Sequence, residues 1–155
     1  MRRILAICVG FILITMMVVA CSPKEMTWEE KTRQLMAKHN VEIDEIWHYE
    51  LKQNHLLVFY EWGGWLFVGF IDAQKDNWEW KGRTTPIDIE KGGYIFTNEY
   101  NVPFYITVLL TTNESVNEAK VKGNRAKLVQ IHPENKIWIA YPDEPVVNER
   151  YFEIN

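Results

Sequence analysis

Residues 55–71 leave this chain few folds to choose from. Two runs rich in β-branched and aromatic residues, 55–62 and 65–71, flank Gly63-Gly64. A two-glycine loop between such runs is a strong local signal for a β-hairpin, because its turn takes positive φ. Pairing Trp62 with Trp65 puts Leu56, Val58, Tyr60, Trp62, Trp65, Phe67, Gly69 and Ile71 on one face. The other face holds Leu57, Phe59, Glu61, Leu66, Val68 and Phe70. Both faces are apolar. A strand pair of this kind belongs in the middle of a structure, with protein packed on either side.

The rest of the chain supplies what would cover it. Thr27-Trp28-Glu29-Glu30 reads as a capping box that opens a helix. Trp28, Leu35, Met36 and His39 fall on one side at helical spacing, and Asn40 is a natural terminator. From residue 44 the pattern turns to strands. Residues 44–51 alternate Ile46, His48 and Glu50 against Trp47, Tyr49 and Leu51, and Gln53-Asn54 makes a turn. A fourth strand begins at Trp78-Glu79-Trp80. Residues 82–103 show no steady period and contain Pro86, Gly92, Gly93 and Pro103, which predicts a long loop with a short strand at 94–97. Further strands are expected at 104–111, at 118–122 and 125–131 as a second hairpin, at 135–141, and as an edge strand at 146–154. The fold class is therefore mainly β: an antiparallel β-sandwich or half-open barrel of about eight strands with one N-terminal α-helix. Seven Trp, seven Tyr and seven Phe give so short a chain enough apolar area to build that core without disulfides.

The first 21 residues follow a different logic. Arg2-Arg3, the apolar residues 4–19 and the small Ala20 are the three parts of an export signal. The apolar run is about 16 residues, short for a membrane-spanning helix at ~1.5 Å rise per residue. Val18-Val19-Ala20-Cys21 resembles the lipobox of bacterial diacylglyceryl-modified lipoproteins. That resemblance implies a thioether-linked diacylglycerol on Cys21, palmitate-like acyl chains, and cleavage between Ala20 and Cys21. The domains are then residues 1–20 as a removed signal peptide, 21–26 as lipidated Cys and short tether, and 27–155 as one extracytoplasmic β-rich domain. Two acyl chains hold a protein stably on a membrane where one does not. The implied location is the extracytoplasmic face of the cell membrane. The exposed part also resembles small lipoproteins of Gram-positive spore-formers in four places: the apolar hairpin, Trp78-Glu79-Trp80, Ala119-Lys120-Val121 and Lys136-Ile137-Trp138. This second resemblance carries over no functional residue.

Charge and motifs narrow the chemistry. Asp and Glu number 21 against 17 Lys and Arg, and removal of the leader takes away two of the arginines. A surface of that sign argues against nucleic acid as a partner. Once Cys8 leaves with the signal peptide and Cys21 is acylated, no thiol remains for a disulfide, a zinc site or a nucleophile. No G-x-S-x-G occurs, and neither glycine pair precedes the helix and lysine of a phosphate cradle. His48 and His55 approach one another if the first two strands pair, and Asp44 or Glu50 would be neighbours. With no HExxH or i,i+4 histidines, no metal and no cofactor are expected.

Two sets of residues remain as candidates. Glu61 is the lone charge in the apolar hairpin and, with His48, a candidate general base, although its place next to the turn favours a side chain that reaches solvent. Trp62 and Trp65 flank a turn, while Trp78 and Trp80 share one strand face. Exposed in a row, the four indoles would stack on sugar rings of the cell wall or grip an apolar partner. Buried, they are simply core, which is the preferred reading of so many aromatics. The expected function is a non-enzymatic, lipid-anchored binding module for a protein or other envelope component. The alternatives are a small-ligand or cell-wall glycan-binding protein and a hydrolase without a recognisable motif.

Overall fold

The computed structural model describes residues 26–74, 77–97, 102–131 and 135–155. The leader, Cys21 and His132 lie outside them. The helix α1, Trp28–Lys38, opens where the capping box places it. The Thr27 amide donates to Glu30 Oε2 at 2.7 Å, and the Glu30 amide donates to Thr27 Oγ1 at 3.2 Å. Two residues past the end of α1, Asn40 takes φ 56°. This left-handed residue lets the Val41 amide reach the Met36 carbonyl and the Asn40 amide that of Ala37, both at 3.0 Å. Met36 is fully buried, whereas Trp28 is exposed.

Strands β1 (Glu45–Lys52), β2 (His55–Trp62), β3 (Trp65–Gln74) and β4 (Asn77–Arg83) form an antiparallel meander. The short β5 (Ile87–Asp88) pairs with the start of β3. In the β2–β3 hairpin Trp62 stands opposite Trp65, and Gly63 and Gly64 take φ 62° and 80°. Both central residues of the turn are thus left-handed, the twist that continues two paired strands.

A second sheet has the order β10-β11-β7-β6, from β6 (Gly93–Thr97), β7 (Ile106–Thr111), β10 (Lys127–Gln130) and β11 (Lys136–Ala140). A small third sheet joins β12 (Phe152–Ile154), β8 (Ala119–Val121) and β9 (Asn124–Arg125). The fold is mainly β, an antiparallel sandwich with one α-helix among the described residues. Its central core packs Leu57, Phe59, Leu66, Val68 and Phe70 against Ile106, Val108, Leu110, Ile137 and Ile139. The opposite face of β2 and β3 carries Leu56, Val58, Tyr60, Phe67 and Ile71, with Met36 packed on them. The hairpin therefore has protein on both sides, as its two apolar faces require. Each of these side chains contributes about 1.5–3 kcal/mol by leaving water. The outer face of the second sheet, with Leu109, Trp138 and Ala140, is covered by Ala119 and Val121 of the third.

Three expectations about local structure are corrected. Residues 125–131 do not continue the second hairpin as one strand. The turn falls at Lys122-Gly123, both at positive φ, and β9 ends after Arg125 so that β10 can cross to the second sheet and pair with β11. The stretch 82–103 is not a long loop over most of its length. Thr84 ties it to β3 through mutual bonds with Val68, β5 pairs with β3, and β6 pairs with β7 over its full length. The last strand covers only Phe152–Ile154, preceded by the 3₁₀ turn Glu149–Tyr151 that Asn148 caps. Twelve strands form among the described residues, several only two or three residues long, where the sequence pattern shows about eight.

Candidate functional site: an aromatic ledge on the first sheet

The four candidate tryptophans share one face of the first sheet. Alternation along β2 and β3 puts Trp62 and Trp65 on the side of Tyr60 and Phe67. Trp78 and Trp80 of β4 pack against that same cluster from the neighbouring strand. Their environments differ. Trp78 and Trp80 are half-buried, whereas Trp62 is 38% and Trp65 43% exposed. Trp80 lies across Gly69, so that a Cβ built there would come within 2.6 Å of its Cη2. The tryptophans thus divide into a packed pair on β4 and a presented pair at the hairpin tip.

The tip is held from both sides. Asp44 Oδ2 accepts the Gly63 amide at 2.7 Å, and the Gly64 carbonyl accepts the Ile89 amide at 3.2 Å. Bonds from outside the hairpin to the Gly63 amide and the Gly64 carbonyl hold the backbone of the turn, and so the positions from which Trp62 and Trp65 project.

Arg83 completes the ledge. Its guanidinium lies 4.5 Å from the Phe67 ring centroid and 5.9 Å from that of Trp62, and it donates to the Tyr60 hydroxyl at 3.4 Å. Burial raises the Tyr60 phenol above its ordinary value, with Arg83 opposing, so its oxygen remains a neutral acceptor. Tyr60 stacks on Phe67 at 5.4 Å and 15°, and Trp62 meets Phe67 at 6.4 Å. Among the described residues Arg83 pairs with no carboxylate.

Comparisons with protein-family models, curated proteins and solved structures found no match.

The polar candidates are elsewhere. Alternation sends Glu61 to the face opposite the tryptophans, between Glu45 of β1 and Leu66 of β3. His48 is on that same face, 5.7 Å from the Phe59 ring, and its Nε2 meets Glu50 Oε2 at 3.1 Å. The Glu50 carboxylate also accepts from Lys127 Nζ at 2.6 Å. His48 is thus part of a structural tie between strands. His48 and His55 do not come together: His48 is opposite Phe59 and His55 opposite Lys52. Four residues of strand put them about 13 Å apart at ~3.3 Å per residue. Asp44, the third proposed neighbour, is bound to the hairpin turn instead. Among the described residues no group of three or more His, Cys, Asp or Glu is placed to hold a metal ion.

Sequence reasoning missed Arg83. Counting by twos from Trp78 and Trp80 sends residue 83 to the other face. A register shift in the β3–β4 pair reverses this: Ile71 is opposite Trp80, but Phe70 is opposite Gly82 and Gly69 opposite Arg83. Lys81 is the extra residue of a bulge, and beyond it Arg83 emerges on the tryptophan side. Gly82, at φ 135°, is the signal that marked the place.

Proposed function

We propose that this chain is a lipid-anchored binding protein on the extracytoplasmic face of the cell membrane, without catalytic activity of its own, whose aromatic ledge holds a component of the envelope. The observation that carries the binding reading is the pair Trp62 and Trp65, exposed on a turn fixed by Asp44 and Ile89. Two indoles left partly outside the core, on a turn whose backbone is tied down, offer apolar area at a reduced ordering cost on binding. The anchor rests on the Val18-Val19-Ala20-Cys21 sequence.

The two parts are tested separately. Changing Cys21 to Ala is expected to abolish incorporation of labelled fatty acid and to leave unprocessed precursor or release the protein from membranes. Acyl labelling that survives this change overturns the anchor. Replacing both Trp62 and Trp65 by Ala is expected to weaken binding of the full chain to isolated envelope material by tenfold or more. Undiminished binding by a folded double variant overturns the ledge.

A further inference from the structure

The ledge also carries information about what it holds. This inference rests on the ledge being the binding surface. Its exposed area is small. Two indoles at about 40% exposure offer roughly 60–100 Å² each, from the 150–250 Å² that such side chains carry. A stable protein partner needs about 800 Å² on each side. A sugar ring, with one apolar face the size of an indole, fits the area without demanding more.

The second component is the guanidinium. Arg83 lies over Phe67 and Trp62, and one of its five N–H donors is directed at the Tyr60 hydroxyl. The remaining donors form part of the planar fork that grips a carboxylate or phosphate with two parallel bonds. The contact with the Phe67 ring and the bond to Tyr60 restrict where the fork can move. The carboxylates on or beside the hairpin are directed away from the fork. Asp44 holds the Gly63 amide, Glu61 is on the opposite face, and Asp88 is bound to Lys91 Nζ at 2.6 Å. The juxtaposition of two exposed indoles with an arginine unpaired among the described residues points to an acidic saccharide as the ligand. Its ring stacks on Trp62 or Trp65, and its carboxylate or phosphate is held by Arg83.

The test is calorimetric titration of the detergent-extracted full chain with four probes. These are the disaccharide of N-acetylglucosamine and N-acetylmuramic acid, the neutral disaccharide chitobiose, N-acetylglucosamine 6-phosphate, and lactate as the anion alone. An acidic probe is expected to bind at least tenfold more tightly than chitobiose, and lactate at least a hundredfold more weakly than the acidic disaccharide. Which acidic probe binds better separates carboxylate from phosphate. Arg83→Gln is expected to remove the preference. Arg83→Lys should restore only part of it, because an ammonium keeps the charge and loses the fork. Equal binding of acidic and neutral probes by the unaltered chain overturns the inference, as does absence of binding by both acidic sugars; neither outcome depends on any variant folding. Equal binding that is lost in the Trp62/Trp65 double variant leaves the ledge standing and removes only the preference for acid. A preference that persists in folded Arg83→Gln also overturns the assignment.

Discussion

Asp44 shows how much one exposed side chain contributes to the ledge. Its own amide donates to the Glu61 carbonyl at 2.9 Å, just before β1, while its carboxylate accepts the Gly63 amide at 2.7 Å. The first bond starts the β1–β2 pairing, and the second fixes the turn that presents Trp62 and Trp65. A hydrogen bond to a charged group contributes about 1.5–3 kcal/mol when shielded, and exposure reduces that. Replacing Asp44 by Ala is therefore expected to cost about 1 kcal/mol in a urea titration and to speed amide hydrogen exchange at Gly63. Replacement by Asn keeps an acceptor and should cost less. Equal exchange rates at Gly63 in all three proteins would show that the carboxylate does not hold the turn.

At the scale of elements, both edges of the first sheet depart from simple alternation, and each departure moves side chains between faces. In β1 the register shifts between Ile46 and His48, so Ile46 joins Tyr49 beside Tyr60 while Trp47 turns to the central core. In β4 the bulge at Lys81 brings Arg83 to the aromatic side. Between them, β3 carries Gly69 where Trp80 crosses it. A methyl group there cannot coexist with the indole, so Gly69→Ala must displace Trp80. The expected loss is about 1–3 kcal/mol, the range for overpacking a filled site, read as a lower urea midpoint with a changed tryptophan emission. An unaltered midpoint and spectrum would show that Trp80 does not rest on Gly69. The central hairpin was legible because period 2, two glycines and two apolar faces all agree on one register. The capping box and Asn40 terminator were equally plain, since each depends on bonds within a few residues. The ledge was legible only in part. Trp62 and Trp65 declare themselves by flanking the turn, but a bulge is chosen by packing between strands, and a reader counting by twos loses the face at the first one. Similarly, Gly92, Gly93 and Pro86 in 82–103 suggest a loop, whereas pairing of β5 and β6 with distant strands is decided by partners that no local pattern names.

For the molecule as a whole, the two large sheets are joined across one open edge by charge as well as by the apolar core. Glu50 of β1 accepts from His48 in its own strand and from Lys127 of β10 in the other sheet. The Glu50 side chain is only 15% exposed. Burial pushes its carboxyl up, but the bonds from Lys127 and His48, together with their charge, outweigh burial and hold it below the ordinary value of 4.5. A carboxyl whose folded-state pKa is lowered adds stability above its unfolded-state value, and that stability is lost as pH falls through the folded-state value. Lys127 is more than half exposed, so solvent screens the pair and the tie contributes on the order of 1 kcal/mol at neutral pH. Glu50→Gln preserves the shape and removes the ionisation. Its urea midpoint is expected to lie below that of the unaltered protein at pH 7, with the gap closing below about pH 4.5 and vanishing near pH 2. Taking the difference between the two curves cancels the acid titration of carboxylates elsewhere, such as Asp88, which the bond from Lys91 holds low. A gap that stays constant from pH 7 to pH 2 would mean that Glu50 joins the sheets by shape alone. A gap that closes identifies β1 and β10 as an acid-sensitive seam on the opposite face of the first sheet from the ledge, so that Trp62 and Trp65 should keep their ligand affinity in Glu50→Gln at pH 7.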